Sequence, residues 1–186
     1  MGKIYMFNFV TLDGYFEGAR KWDLEWHKVD KEFQQFAIDQ LNATDTLIFG
    51  RITYEGMANY WTSPDAEKDD PVVASKMNAI RKIVFSRTMN QASWNNTRLV
   101  TGSAFEELSK LKAQTGKDVG IFGSANLVSG FIRENLIDEF RIMVNPVILG
   151  RGGELFKGIE KMVNLKLAGA RVFKSGNVLL SYERGD

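Results

Sequence analysis

Two short segments of this chain share one grammar: an apolar, strand-like run closes on a glycine, and a small or polar residue then opens a helix-like run. They are residues 46–49 with Gly50-Arg51-Ile52-Thr53, and residues 118–122 with Gly123-Ser124-Ala125-Asn126. The rest of the chain repeats that alternation. Residues 3–10 are aromatic and β-branched, which predicts a strand, and Asp13-Gly14 follows as a turn signal. Asp30 stands where a cap is needed for a helix with Phe33, Phe36, Ala37 and Leu41 on one face. Asp70-Pro71 opens a helix carrying Val73, Met77 and Ile80, and residues 82–85 and 98–101 read as strands. Ser103 and Glu106 form a capping box for a helix with Phe105, Leu108 and Leu111, which Gly116 stops. Leu127, Val128, Phe131 and Ile132 mark the next helix. Phe140, Ile142 and Val144 then alternate, and residues 165–174 and 178–184 predict a hairpin about Ser175-Gly176-Asn177. Strands alternating with helices and ending in a run of strands predict an α/β fold, its sheet mostly parallel with an antiparallel C-terminal edge. Residues 62–71, polar and flanked by proline, read as a loop within one domain spanning residues 1–186.

Composition narrows the chemistry. A chain of 186 residues, 44% hydrophobic and 25% charged, is long enough to bury one full core. It contains no cysteine and one histidine, His27, so disulfides, thiolate nucleophiles, cysteine-based metal sites and paired imidazoles are all excluded, and no metal site is expected. Lysine and arginine total 24 against 23 acidic residues, a net charge of +1, so there is no basic excess to neutralise phosphates and nucleic-acid binding is not the expected task. No apolar run reaches the roughly 18–20 residues needed to span a bilayer, and the N-terminus starts directly in a strand pattern with no signal-peptide features. A cytoplasmic enzyme with a small-molecule substrate and no membrane partner is the expectation. Its chemistry would come from an organic cofactor.

Glycine at a strand-to-helix turn lets a phosphate approach the backbone, where the free N–H groups of the helix start bind its oxygens. Each of the two segments alone is also what any tight strand-to-helix turn looks like. Together at the ends of parallel strands, with Arg51 in one, they point to a long phosphate-bearing ligand. Phe85-Ser86-Arg87-Thr88 adds two hydroxyls and a guanidinium after another strand, a group suited to a dianionic phosphate. A site preferring NAD would instead hold a carboxylate against the ribose. NADPH is the ligand these pieces describe.

The runs Thr11-Leu12-Asp13-Gly14, Leu47-Ile48-Phe49-Gly50-Arg51-Ile52-Thr53-Tyr54-Glu55 and Ile83-Val84-Phe85-Ser86-Arg87-Thr88 together resemble the dihydrofolate-reductase-like superfamily. Gly123-Ser124-Ala125-Asn126-Leu127, Leu136-Ile137-Asp138-Glu139 and residues 146–152 resemble more specifically the RibD C-terminal-domain family, the reductase domain of riboflavin biosynthesis, in a stand-alone form. The resemblance implies a three-layer fold about an eight-stranded sheet, commonly a homodimer, with NADPH over the strand ends. Gly50, Arg51 and Thr53 would lie near the cofactor phosphates. Ser86 and Arg87, with Thr88 beside them, match the position of the adenosine 2′-phosphate. Gly123, Ser124, Ala125, Asn126 and Leu127 match the loop about the pyrophosphate and nicotinamide. Asp13 and Trp22 fall where such reductases hold substrate, and Asp13 or a water would manage the proton.

The chain departs from the family at one place. Riboflavin reductases carry a glutamate before their double glycine, facing the substrate, where this chain has Phe122. Dihydrofolate reductases use an acid on the first helix, for which Asp30, Glu32 and Asp39 are the candidates, yet spacing from Gly50 lands near Gln34. The nearest named activity is reduction of 5-amino-6-(5-phosphoribosylamino)uracil. The alternatives are a dihydrofolate or pterin reductase and an NADPH-binding protein without turnover. His27 reads as an exposed or capping residue before the first helix, with protonation of a substrate nitrogen as its functional alternative. Trp26, Tyr54, Tyr60 and Trp61 read as core.

Overall fold

Side-chain alternation sorts the first strand between two layers of helices. In the computed structural model, which describes residues 2–114, 116–123 and 125–185, β1 (Ile4–Thr11) sends Ile4, Met6 and Val10 into one core and Tyr5, Phe7 and Phe9 into another. The chain continues through β2 (Tyr15–Glu17), α1 (Lys31–Ala43), β3 (Thr44–Gly50), α2 (Arg51–Trp61), α3 (Pro64–Asp69) and α4 (Pro71–Ala79). It then forms β4 (Arg81–Phe85), β5 (Thr97–Val100), α5 (Ala104–Gln114), β6 (Asp118–Phe122) and α6 (Ala125–Arg133). β7 (Glu139–Asn145), β8 (Gly153–Glu154), β9 (Leu165–Val172) and β10 (Val178–Arg184) complete it.

Eight strands form one sheet in the order β5-β4-β3-β6-β1-β7-β10-β9, and β2 pairs with β8 apart from it. The first six are parallel, whereas β10 runs antiparallel to both β7 and β9. The α/β fold with an antiparallel C-terminal edge is therefore as the sequence predicts. α5 and α6 cover one face, where Leu108, Leu111, Val128, Phe131 and Ile132 pack on Ile4, Met6, Ile48, Ile83 and Ile121. On the other face Leu41, Tyr54, Val73 and Met77 from α1, α2 and α4 pack on Leu47, Phe49 and Val84. The parallel register puts Thr11, Gly50, Phe85, Phe122 and Asn145 at one carboxyl edge of the sheet, where open α/β sheets bind their ligands. No helix among the described residues is long and apolar enough to cross a membrane.

The caps behave as expected at Asp30, which accepts from Phe33 N at 2.8 Å, and at Asp70, which accepts from Val73 N at 3.0 Å. The loop expected at 62–71 is a correction, because its middle is the helix α3. Ser63 Oγ caps Ala66 N, Pro64 sits in the first turn where its missing N–H costs nothing, and Ala66 is fully buried. One buried apolar residue among polar neighbours is too weak a periodic signal to see in the sequence.

β4 carries an unusual core residue. Lys82 is 1% exposed, and its Nζ donates to the carbonyls of Met77 (2.8 Å), Ile80 (2.7 Å) and Asn78 (3.2 Å) at the end of α4. It stands 4.5 Å over the Trp94 ring. Burial pushes its ammonium down to about 8, while the carbonyls and the indole favour the charged form. Lys82→Met leaves helix-end carbonyls without a donor in the core, which costs about 2 kcal/mol. Thermal unfolding should show a Tm lower by roughly 4–8 °C, and an unchanged Tm would mean that the ammonium contributes nothing to the fold.

Candidate functional site

The two glycine turns meet at the carboxyl edge. β3 ends at Gly50, which carries no side chain to cap α2, so the first N–H groups of that helix face outward without a side-chain acceptor. β6 runs beside β3 and gives way to Gly123, whose φ of +70° suits glycine. A Cβ at Gly123 would lie 2.7 Å from Thr53 Cγ2, so the missing side chain is what lets the second turn rest on the first. Thr53 is buried in this contact, and Arg51 is held by Glu55, with Nη1 3.0 Å from Oε2. Ala125, Asn126 and Leu127 form the first turn of α6, and Ser124 lies outside the described residues.

Past β4, Ser86 Oγ accepts from the N–H groups of Thr88 and Met89, both at 3.1 Å, closing a compact turn. The turn leaves Arg87 and Thr88 exposed. No hydrogen bond or ion pair joins Arg87 to another described residue. Unlike Arg51, its guanidinium needs no partner exchanged before it can bind an anion.

Asp13 and Trp22 are tied to different walls. Asp13 Oδ1 accepts from Thr11 Oγ1 (2.6 Å) and Leu149 N (3.2 Å), and Oδ2 accepts from Gly150 N (2.7 Å). The Thr11 hydroxyl, then the Gly150 and Leu149 N–H groups, hold this carboxyl below its ordinary value. It is an ionised clamp on the loop after β7. Trp22 has a left-handed φ of 63°, costly for a bulky residue, and its indole lies on α2 at Gly56, where a Cβ would meet Cζ2 at 2.0 Å.

Phe122 faces α1, with its ring 5.7 Å from Phe7 and 6.3 Å from Tyr5. It belongs to a continuous aromatic wall that the sequence did not single out. Phe9 meets Phe33 at 5.0 Å, Phe33 meets Phe36 at 6.0 Å, and Phe7 touches Phe9, Phe33 and Phe36. Phe9, Phe33, Phe36 and Phe122 remain partly open to solvent.

His27 belongs to this wall as well, which corrects the exposed or capping reading. Its imidazole stacks on Phe9 at 4.2 Å and 18°, meets Trp26 edge-on, and has Nε2 buried without a partner. The segment is held there by two fully buried asparagines that sequence reasoning missed. Asn145 Oδ1 accepts from Lys28 N (3.0 Å), and Asn177 Nδ2 donates to Lys28 O (2.8 Å). A lone asparagine closing an apolar alternating strand was the one signal available.

The three candidate acids of the first helix are all engaged away from the wall. Asp30 caps α1, Glu32 accepts from Arg171 Nη2 (3.1 Å) and Lys174 N (2.9 Å), and Asp39 accepts from Gln35 (2.9 Å).

Residues 2–179 match the RibD C-terminal domain family. The uncharacterized protein YyaP of Bacillus subtilis (strain 168) is 36% identical over 176 residues, covering 93% of this chain and 90% of that protein. A putative riboflavin biosynthesis protein from Shewanella sp. PV-4 has a similar structure, with a TM-score of 0.77 at 22% identity and 99% of each chain covered. Dihydrofolate reductase from Enterococcus faecalis, solved with NADP(H), gives a TM-score of 0.67 at 17% identity over 100% of this chain and 98% of that one. The fold is dihydrofolate-reductase-like.

Burial lowers the His27 imidazole from 6.5 to about 4. Between these values the unfolded chain binds the proton and the folded chain does not, so stability falls as pH is lowered through that window. From pH 7 to pH 5 the loss is about 2 kcal/mol. Urea midpoints at the two pH values should differ accordingly, and His27→Phe should remove most of the difference. Equal pH sensitivity in both proteins would contradict a buried neutral imidazole.

Proposed function

The chain belongs to the RibD C-terminal domain family, and on that premise we propose that it is an NADPH-dependent reductase of a nitrogen heterocycle or its ribosylamino derivative. The observation that carries this reading is the unpaired guanidinium of Arg87 beside the Ser86 and Thr88 hydroxyls, on the same sheet edge as the Gly50 and Gly123 turns. That donor set fits the cofactor: a cationic fork with hydroxyls for a terminal phosphate, and two backbone turns free of side chains for a pyrophosphate. NADPH, when bound, supplies a hydride from its nicotinamide.

The chain's own residues do the rest. Arg51 exchanges Glu55 for a phosphate oxygen, while the outward N–H groups at the start of α2 bind others. Gly123 gives the ligand backbone access, and the first turn of α6, with Ala125, Asn126 and Leu127, flanks it. Ser124 is assigned to the same loop. Phe122 and the α1 wall take the place of water around the reacting ring and fix its plane. Trp22 and the Asp13 clamp bound the substrate side. Because Asp13 is ionised and already accepts from Thr11, Leu149 and Gly150, it orients rather than donates, and the proton comes from water.

The nearest named activity is reduction of 5-amino-6-(5-phosphoribosylamino)uracil. The pterin alternative has less support, because Asp30, Glu32 and Asp39 are all engaged elsewhere. The engagement of these three acids favours, as a second reading, NADPH binding without turnover. A cytoplasmic homodimer fits either reading. The edge strand β9 exposes Leu165, Leu167 and Val172, and Met162 beside it is 89% exposed, so a second copy has an apolar surface to cover.

Arg87→Ala should weaken NADPH tenfold to more than a hundredfold, the equivalent of about 1.5–3 kcal/mol for a charge-assisted hydrogen bond, and leave NADH little changed. Arg51→Ala should weaken both nucleotides. Titration by tryptophan fluorescence reads these affinities. Equal shifts for the two nucleotides in Arg87→Ala would remove the 2′-phosphate assignment.

A further inference from the structure

A cavity between α2 and the segment after β4 belongs to neither the glycine turns nor the aromatic wall. It holds about 520 Å³, a size at which proteins bind small molecules. Glu55, Ala58 and Asn59 line it from one face of α2, and Asn90 and Gln91 line it from the segment after β4. Its base is rigid. Tyr54 and Trp94 are nearly fully buried there, Tyr54 Oη accepts from Trp94 N (2.8 Å), and Trp94 Nε1 donates to Asn78 (2.7 Å). Glu55 is the one charged side chain among the described residues that line the cavity. The carboxamides of Asn59, Asn90 and Gln91 make no hydrogen bond with any described residue, so each has a carbonyl oxygen to offer. A carboxylate among carbonyls calls for positive charge and N–H donors, while Ala58 and Met89 give apolar surface to a flat body. The cavity also touches the supports of both arginines assigned to the nucleotide. Glu55 is the partner of Arg51, at 3.0 Å, and Met89 N is held by Ser86 Oγ, at 3.1 Å.

We propose that this cavity is an effector site for a small ligand carrying a planar amidinium or guanidinium on an apolar body, and that the ligand takes Glu55 as a nucleotide phosphate takes Arg51. A planar fork of N–H donors meets a carboxylate with two parallel hydrogen bonds. In the free protein that carboxylate is engaged by Arg51. A phosphate that draws Arg51 away leaves Glu55 to the ligand, and a ligand on Glu55 leaves Arg51 to the phosphate. Each occupant frees the group that the other needs, so the two bind with positive and reciprocal coupling. The phosphate also offsets the repulsion between Arg51 and a second cation beside it. Both partners of the ion pair are about half-exposed, which holds the coupling to roughly two- to fivefold. The coupling rests on the reading of Arg51 as a phosphate ligand, whereas the cation site itself does not.

Benzamidine, benzamide and benzoate test the proposal, since they share one shape and differ in charge. Calorimetric titration of the whole protein should show benzamidine binding about tenfold more tightly than the other two. Saturation with NADPH should tighten benzamidine a further two- to fivefold, and benzamidine should tighten NADPH by the same factor. Glu55→Gln should remove the preference for benzamidine and the coupling together. Asn59→Trp, at an exposed position on the same helix face, should fill the cavity and exclude benzamidine while NADPH affinity and Tm stay unchanged. Benzamidine that binds no better than benzamide, is indifferent to Glu55→Gln or Asn59→Trp, leaves NADPH affinity unmoved, or competes with NADPH overturns the proposal. If benzamidine binds through Glu55 and NADPH does not bind, the reductase reading falls and the cation site stands. If NADPH binds and benzamidine does not, the cation site falls alone.

Discussion

The candidate site depends on a contact that leaves no room for a side chain. Gly123 rests against Thr53 so closely that a Cβ would stand 2.7 Å from the threonine methyl, and its φ of +70° is itself one that other residues rarely adopt. That contact joins the end of β6 to the first turn of α2. Both turns that offer bare backbone to an anion are thereby held side by side, although about seventy residues separate them in the chain. Any side chain at Gly123 would push the turns apart and blunt the site at its centre.

Around this joint the loops are secured by neutral groups or by carboxylates that are already engaged. Asn145 and Asn177 grip the backbone of Lys28 from two sides and so hold His27 over Phe9. Asp13 closes the turn after β1 onto residues 149 and 150, and Glu32 ties α1 to the end of β9. The Trp22 indole seats on α2 at Gly56. The result is a division of charge along one edge. Arg51 and Arg87 stand on the side of β3 and β4, while the side of β1 and α1 presents the rings of Phe9, Phe33 and Phe36 and the His27 imidazole. A ligand with a phosphate-rich half and a flat uncharged neighbour suits that division, because guanidinium prefers anions and phenylalanine prefers ring faces.

The strands and their carboxyl-edge glycines were legible because they obey local rules. A buried parallel strand such as β3 is a continuous apolar run, and Gly50 and Gly123 mark its turn and that of β6 whatever lies nearby in space. Asp30, Asp70 and Ser103 announced helices for the same reason, since a cap acts within three residues. What stayed hidden is set by contacts distant in sequence. Glu32 looks like a free acid until the hairpin of β9 and β10 places Arg171 against it, 139 residues away. Phe33 and Phe36 read as ordinary core, and only their ring contacts with Phe7 and Phe9 make a half-open wall of them. α3 was missed because a short helix with one buried alanine has almost no apolar period. β2 and β8 are too short to announce themselves.

A crystal structure of the protein with NADPH tests the central claim most directly, because it locates each end of the cofactor on the carboxyl edge. The account predicts the 2′-phosphate within hydrogen-bond reach of Ser86 and Arg87, the pyrophosphate against the start of α2 and the Gly123 turn, and the nicotinamide ring beside Phe122 at the aromatic wall. A cofactor bound in the opposite direction, or bound away from this edge with the Gly50 and Gly123 turns untouched, would contradict it.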